Sequence, residues 1–227
     1  MTVPPPAGQN RLLPEPEALR LLEDAGLPVI PHRLARTPDE TAAAARDLGC
    51  PVAAKVVADA LAHKSDVGGV ILNLATPEEA AAAFTTLRDR FAARPSGASF
   101  HGAVIAKMAA PGGIEVILGM IRDPQFGPAV MFGLGGVLVE VYNDVVFRLP
   151  PLRMAEARTM LLEVKAARLL TGYRGSPPRD LESLAAGACA LARLAEDQPD
   201  IQEIDLNPLI SYERGCVIVD AKILVRS

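Results

Sequence analysis

The strongest constraint on the fold is a regular alternation of helical and strand-like segments over the first half of the chain. Helices are predicted to start after Thr37 and Thr76, because each threonine precedes Pro and has Glu three residues later. This is a capping-box pattern with proline at the first helical position. An apolar, strand-like run follows each predicted helix, so helices and strands up to about residue 107 alternate as in an α/β or α+β layer.

The pattern changes to closely spaced strands between residues 102 and 149. Short Gly and Pro connections separate these strands, which is typical of a mainly antiparallel sheet. Two helical segments are predicted at 153–170 and 180–196, and the chain is predicted to close on a hairpin. The predicted fold class is therefore α+β.

The change of pattern predicts two lobes, a small α/β lobe and a larger lobe with an antiparallel sheet. The small lobe is expected to be inserted near residues 28–105 of a domain that spans 13–227. The Pro-rich residues 1–12 are expected to form a flexible arm.

Composition excludes several classes of function. The 227 residues carry a formal net charge of −4 and are 50% hydrophobic, so nucleic acid is not an expected partner. No apolar run approaches the ~20 residues of a membrane span and no signal peptide is evident, so we expect a cytoplasmic protein. Cys50, Cys189 and Cys216 lack the spacing of a metal or redox motif, and the three histidines are scattered.

The closing hairpin allows a geometric prediction. If residues 212–215 form its loop, Ser211 pairs with Cys216, and the same register places Asn207 opposite Asp220. Directly opposed side chains on paired strands have Cβ atoms about 4.5 to 5.5 Å apart. The two side chains are therefore expected to lie close together.

Asp205 belongs to the same predicted face, since residues two apart on a strand point the same way. The register places it opposite Lys222, while Ile204, Leu206, Pro208 and Ile210 are predicted to form the apolar face. Mg²⁺ prefers oxygen ligands and commonly combines one or two carboxylates with substrate phosphates. The oxygen-bearing patch suits such a site, and the alternative is a solvated face of an edge hairpin.

Two lysines stand alone in apolar strand-like segments. Lys55 lies within "PVAAKVVA" and Lys107 within "AVIAKMAA". A lone lysine in such a segment either extends its ammonium to water or meets an anion. The sequence leaves both interpretations open.

Glycines and an arginine provide weaker signals. Gly133, Gly135 and Gly136 lie between two predicted strands, where backbone N–H groups can approach phosphate, although a turn alone explains them. The segment fits neither a Walker A loop nor a dinucleotide-binding fingerprint. Arg122 is predicted at a strand end, where its guanidinium could hold a phosphate.

Several short motifs follow one another along the chain. They are "HKSDVGGV", "DPQFGP" followed by "FGLGG", "TGYRG", "EIDLNPL" and "VDAK". In this order they resemble the ATP-grasp β subunit, or ATP-grasp domain, of the ADP-forming acyl-CoA synthetases (ADP-forming acetate–CoA ligases), from about residue 13 to residue 225. The family is more distantly similar to the β subunit of succinyl-CoA synthetase. The resemblance implies an ATP-grasp fold in which two lobes clasp the nucleotide.

The resemblance also implies a phosphohistidine. In the family, the histidine of the "HKSDVGGV" motif carries phosphate towards ADP, and that residue is His63 here. An imidazole nitrogen can accept a phosphoryl group, the glycines after it let the loop bend, and Lys64 can offset charge on the transferred group. The alternative is an ordinary surface histidine.

Further roles are implied position by position. Asn207 and Asp220 match the metal-binding pair, with Asp205 as a further ligand or orienting group, and Mg²⁺ is the implied cofactor for ATP or ADP. The residues implied on the nucleotide side are Lys55, Lys107, Met108, Glu115, Arg122, Gly135 and Gly136. Lys107 is a departure, because family members often have Gln or Glu just before this methionine.

The complete reaction needs a CoA-binding and ligase part that nothing in these residues resembles. We therefore expect a separate α subunit, or a longer fusion from which this domain comes. The acid is not specified by the sequence. Two alternatives remain: an ATP-grasp ligase of another carboxylate substrate, which would not need His63, and a nucleotide-binding regulatory subunit without phosphoryl transfer.

Overall fold

A computed structural model shows an α+β architecture in which all the described strand pairings are antiparallel. The structure describes residues 10–58, 68–92, 99–135 and 144–226. These residues form a seven-stranded sheet and a four-stranded sheet, each with its own helices, and the chain divides into two compact units. No described helix is long and apolar enough to cross a membrane.

The four-stranded unit comprises Pro14–Glu17, which includes the first residues of helix α1 (Glu15–Asp24), and Ile30–Ala109, which includes most of the region predicted as the small lobe. Its sheet order is β2-β5-β3-β4. The strands are β2 (His32–Ala35), β3 (Val52–Ala58), β4 (Val70–Leu74) and β5 (Phe100–Lys107), and the helices are α2 (Pro38–Leu48) and α3 (Pro77–Ala92).

The helix starts in this unit follow the capping prediction. Thr37 Oγ1 accepts a hydrogen bond from Glu40 N, and Thr76 Oγ1 accepts one from Glu79 N, each at 3.1 Å. The apolar sides of α2 and α3 pack on the sheet, where Phe84 meets Phe100 edge to face with ring centroids 5.3 Å apart. The predicted alternation of helix and strand is confirmed.

The seven-stranded unit comprises the segment ending at Leu13, then Ala18–Val29 and the chain from Ala110 onwards. Its sheet order is β1-β11-β9-β6-β7-β8, with β10 paired to β9. The strands are β1 (Asn10–Leu12), β6 (Ile114–Asp123), β7 (Gly127–Leu134), β8 (Val145–Arg148), β9 (Ile201–Ser211), β10 (Cys216–Ile218) and β11 (Lys222–Arg226).

Helix α6 (Leu181–Asp197) packs against β6 and β7, and α4 (Met154–Glu163) packs against β8 and α6. Helix α1 (Glu15–Asp24) is divided, since its first residues cluster with the four-stranded unit and the rest with this one. Residues 137–143, one of the predicted strands, lie outside the described residues.

The helix predicted over 153–170 is interrupted. Helix α4 ends at Glu163, and a short helix α5 (Arg168–Thr171) follows. Between them, the carboxylate of Asp144 accepts hydrogen bonds from the backbone N–H groups of Lys165 and Ala166, at 2.9 and 3.1 Å. These bonds replace the helical ones, so a single helix was the wrong prediction.

The N-terminal arm was also predicted too long. Asn10–Leu12 form β1, which pairs with β11 at the edge of the seven-stranded sheet. Leu13 N continues the attachment by donating a hydrogen bond to Ile223 O at 2.8 Å. The expectation of a flexible arm therefore fails for residues 10–12.

Candidate functional site

The closing hairpin has the register predicted from its loop. Cys216 pairs with Ser211, and Lys222 pairs with Asp205. Between these pairs, Val219 N donates a hydrogen bond to Pro208 O at 3.0 Å, which is consistent with the same register. The same register sets Asn207 opposite Asp220, between the paired segments of β10 and β11.

A β-bulge on β9 corrects the predicted apolar face. Where β9 pairs with β6, the register shifts by one residue between Val116 and Leu118. Ile204 and Leu206 are buried as predicted, but beyond the shift the buried side chains are Leu209 and Ser211, and Pro208 is only half-buried. Bulges redirect side chains in this way, and Ile210, also predicted on the apolar face, is likewise half-buried.

The oxygen-bearing face beside the bulge suits a hard cation. Asp205, Asn207 and Asp220 are all half-buried, and the Oδ1 atom of Asp205 is buried. On β6 the residue paired with Asp205 is Gly119, where a Cβ would lie 3.0 Å from Ile204 O and 3.2 Å from Met131 Cε. A side chain at position 119 would therefore crowd the backbone of β9 and the Met131 side chain.

The donor chemistry fits Mg²⁺ rather than zinc. Within the described ranges, no group of three or more His, Cys, Asp or Glu side chains could hold a metal ion. The patch offers two carboxylates and an amide, and Mg²⁺ typically takes one or two carboxylates and completes its shell with water and substrate phosphate. Asp205, Asn207 and Asp220 could hold the ion under those conditions.

Lys55 does not extend to water, as one interpretation of the sequence allowed. It is 5% exposed, and its Nζ donates a hydrogen bond to Oε1 of Glu15 at 3.1 Å. Glu15 is itself 4% exposed. The lysine therefore meets an anion, and that anion is a carboxylate of the same unit.

Breaking this buried pair from one side is expected to destabilise the protein strongly. Lys55→Met should lower the free energy of unfolding by about 3 to 5 kcal/mol, because the Glu15 carboxylate would stay buried without its counter-charge. The double variant Glu15→Leu/Lys55→Met removes both charges and should recover most of the loss. Urea denaturation of both variants measures this, and a loss below about 1 kcal/mol for Lys55→Met would contradict it.

Glu15 is a residue that the sequence interpretation missed. A signal was present, because Glu15 is in phase with Ala18, Leu19 and Leu22 on the buried side of α1. An acidic residue on an otherwise apolar helical stripe needs a partner. The identity of the partner, 40 positions away, could not be deduced from that stripe.

The segment predicted to face adenine has its backbone donors engaged. Lys107 N donates to Pro31 O at 3.0 Å, and Met108 N donates to Pro51 O at 3.1 Å. The Lys107 side chain is exposed and Met108 is half-buried. An adenine contact by this segment would therefore use carbonyl oxygens or side chains, and the contact itself stays a prediction.

The guanidinium of Arg122 serves the backbone. Its Nε donates to Ile201 O at 2.8 Å, and one Nη donates to Ala195 O at 2.6 Å and to Gln198 O at 3.2 Å. These carbonyls lie at the C-terminal end of α6 and the start of β9, where a cation is favourable. The geometry does not support the predicted phosphate contact.

Glu115 and Gly135 lie side by side at the ends of β6 and β7. The side chain of Glu115 is exposed, and its carbonyl oxygen accepts a hydrogen bond from Gly135 N at 2.8 Å. A Cβ on Gly135 would lie 2.8 Å from Val116 N and 2.9 Å from two backbone carbons. The glycine thus permits close backbone packing, and a phosphate contact there stays a prediction.

Gly135→Ala is therefore expected to lower the free energy of unfolding by about 1 to 3 kcal/mol through overpacking against backbone. The matched control is Gly187→Ala within α6, where the nearest atom to a new Cβ is Leu118 Cδ2 at 3.8 Å. That control should raise stability by about 1 kcal/mol, as alanine favours helix. Chemical denaturation measures both, and equal effects would refute the packing argument.

His63 and Gly136 lie outside the described residues. On the C-terminal side of His63, the backbone is attached to the four-stranded sheet, because Val56 N donates to Gly69 O at 2.8 Å. Arg90 Nη1 donates to the carbonyl oxygen of Gly68. The roles of His63 and Gly136 stay predictions.

Comparisons with known proteins agree on one family. Residues 6–225 match the family model for an ATP-grasp domain. The chain is 43% identical over 217 residues to the acetate–CoA ligase [ADP-forming] I subunit beta of Pyrococcus furiosus, covering 96% of this chain and 93% of that subunit.

Two further proteins show the same relationship. The chain is 43% identical to acetate–CoA ligase [ADP-forming] I of Archaeoglobus fulgidus, covering 92% of this chain but only 30% of that longer protein. A solved structure of acetyl-coenzyme A synthetase 1 from Candidatus Korarchaeum cryptofilum superposes with a TM-score of 0.83 and 41% identity, covering 95% of this chain and 93% of that one. That structure contains coenzyme A and Mg-AMPPCP, with its phosphohistidine segment pointing towards the nucleotide-binding site.

Proposed function

Because this chain belongs to the ATP-grasp family of ADP-forming acyl-CoA ligase β subunits, we propose that it transfers a phosphoryl group between His63 and the nucleotide. The nucleotide is ATP in one direction and ADP in the other, and Mg²⁺ accompanies it.

One structural observation supports this proposal above the others. The register of the closing hairpin brings Asp205 next to Lys222 and sets Asn207 opposite Asp220 on a half-buried face. The hairpin is not at a sheet edge, since β9 pairs with β6 on one side and with β10 and β11 on the other, and carboxylates on a half-buried face need polar or cationic partners. A Mg·nucleotide complex requires such oxygen donors.

The proposed phosphoryl transfer needs no reactant other than the phosphorylated histidine and ADP. In the direction of ATP synthesis, the N–P bond of phosphorylated His63 breaks as a β-phosphate oxygen of ADP forms the new P–O bond. The imidazole is the leaving group and returns to its unmodified state. Bound Mg²⁺ neutralises phosphate charge, and such positioning and charge stabilisation account for most of the catalysis in phosphoryl transfer.

Residues of this chain would position the nucleotide for that step. Lys55 donates to phosphate, Glu115 lies on the nucleotide side, and carbonyl oxygens near Lys107 and Met108 face the adenine. The ammonium of Lys107 is exposed, and the family resemblance implies Gln or Glu at this position, so we propose that Lys107 modifies nucleotide affinity.

The chain acts with a CoA-binding and ligase partner. It spans nearly the whole of a β subunit but about a third of a longer single-chain ligase. The remaining part of such an enzyme would supply acyl-CoA chemistry and deliver phosphate to this subunit. The partner is a separate α subunit or a fused domain.

The test is transfer of label from γ-labelled ATP with Mg²⁺ to the purified chain, alone and with its candidate α subunit, followed by peptide mapping. Acid-labile, base-stable label on the peptide that contains His63 is the expected result. Bound nucleotide without label under either condition would instead support a regulatory subunit. Turnover of another carboxylate without a phosphorylated intermediate would support a different ATP-grasp ligase.

A further inference from the structure

The buried ion pair of the four-stranded unit contains a residue to which the proposed function gives no role. In the described part of this unit, Glu15 and Lys55 are the buried charged residues, and their side chains are 1% and 6% exposed. We propose that Glu15 is a positioning residue that acts through Lys55 on the nucleotide phosphates. The inference rests on the proposed function, because it takes the phosphate contact of Lys55 from there.

Lys55 occupies an interior strand, which is an unfavourable place for an unaccompanied charge. It pairs with Val104 of β5 on one side and Val70 of β4 on the other. Its strand neighbours Ala54 and Val56 are fully buried. A charged ammonium in such surroundings requires a counter-charge, since burial alone favours the neutral amine.

Glu15 provides that counter-charge at 3.1 Å and in a defined direction. An ammonium has three N–H donors, and a carboxylate that accepts one of them restricts where the others point. Glu15 is the first residue of α1, where a negative charge is also favoured by the helix dipole. Its carboxylate therefore fixes the direction of the Lys55 ammonium, which a phosphate contact requires.

Two other roles make different predictions. If the pair were only structural, loss of Glu15 would affect folding but not the selective binding of phosphates. If Glu15 competed with phosphate for the ammonium, its loss would tighten nucleotide binding. The deciding quantity is the phosphate-dependent part of the affinity, defined as the ratio of the dissociation constants of adenosine and Mg·ATP.

Isothermal titration of the full chain with Mg·ATP and with adenosine measures this ratio. Glu15→Gln keeps the size of the side chain and removes its charge, and we expect the ratio to fall about tenfold, which corresponds to the loss of about 1.4 kcal/mol. The dissociation constant of adenosine should be unchanged. Glu17→Gln is the matched control, because Glu17 lies in the same helical turn and is exposed.

Two further variants make the test specific. Lys55→Met should reduce the ratio at least as much as Glu15→Gln. The double variant Glu15→Gln/Lys55→Met should reduce it no further than Lys55→Met alone, because both changes act through one ammonium. Glu15→Asp retains the charge and withdraws it by one methylene, so it should lower the ratio less. It also serves if Glu15→Gln fails to fold.

An unchanged ratio in Glu15→Gln, whether both ligands bind as before or both bind equally more weakly, would overturn the positioning role. A higher ratio would overturn it as well. These outcomes leave the proposed function intact as long as the wild-type chain binds Mg·ATP more tightly than adenosine. A wild-type chain without that preference would overturn the proposed function and this inference together.

Discussion

Replacement of His63 by alanine is expected to abolish phosphoryl transfer to and from this chain. The rate of label incorporation from γ-labelled ATP should fall by at least about 10³-fold, because removal of a covalent acceptor leaves no alternative route of comparable speed. Nucleotide binding should persist, since the predicted phosphate and metal contacts belong to other residues. Incorporation and binding are measured on the same preparation, with the partner subunit present.

A matched control for this variant is His101→Ala. His101 is an exposed histidine on β5 of the four-stranded unit. Its loss tests whether removal of a different imidazole also lowers label incorporation. The control is expected to incorporate label at the wild-type rate. Full turnover by His63→Ala would remove this histidine from the mechanism and favour an ATP-grasp ligase of another kind.

The parts of the fold that sequence predicted correctly are those determined by local chemistry. The capping interactions at Thr37 and Thr76 involve residues only three apart, so a short segment specifies the helix start. The hairpin register follows from the length of one loop, and this extends correctly from Ser211 to Asp205. Errors cannot accumulate over so few residues.

Predictions from sequence were wrong where a group distant in the chain competes with the local preference of a segment. Asp144 takes the backbone N–H groups of Lys165 and Ala166 and so interrupts a segment with helical character. The bulge near Pro208 depends on the pairing of β9 with β6, which lies some 90 residues earlier in the chain. Neither interaction is visible in the periodicity of the segment that it changes.

The candidate site shows the same distinction. Asp205, Asn207 and Asp220 could be grouped from sequence because one hairpin carries all three. The Glu15 partner of Lys55 comes from another element, and so the sequence offered only water or an unspecified anion for that lysine. A phosphate contact was predicted for Arg122 from its position at a strand end. In the structure its guanidinium instead donates hydrogen bonds to backbone carbonyl oxygens of α6 and β9.

The roles of the two carboxylates on the hairpin can be separated from their effect on folding. Asp205→Asn and Asp220→Asn keep the side-chain shape, so each protein should fold and bind adenosine normally. Each should raise the Mg²⁺ concentration needed for half-maximal phosphoryl transfer by about 10- to 100-fold or more. Loss of a group that only orients a metal ligand typically costs this much, and a direct ligand should cost at least as much. The double variant should lose nearly all transfer, because an amide does not balance the charge of the cation.

The dependence on Mg²⁺ distinguishes metal binding from other causes of lost activity. Glu203→Gln is the matched control, since Glu203 is an exposed carboxylate on the same strand two residues before Asp205, and it should leave the Mg²⁺ dependence unchanged. If Asp220→Asn lowers the maximal rate with no change in the Mg²⁺ requirement, the carboxylate acts on nucleotide or fold rather than on the cation. If instead high Mg²⁺ restores the rate of each single variant, the two carboxylates share one ion. The hairpin register would then be the feature of this sequence from which the metal site could be predicted.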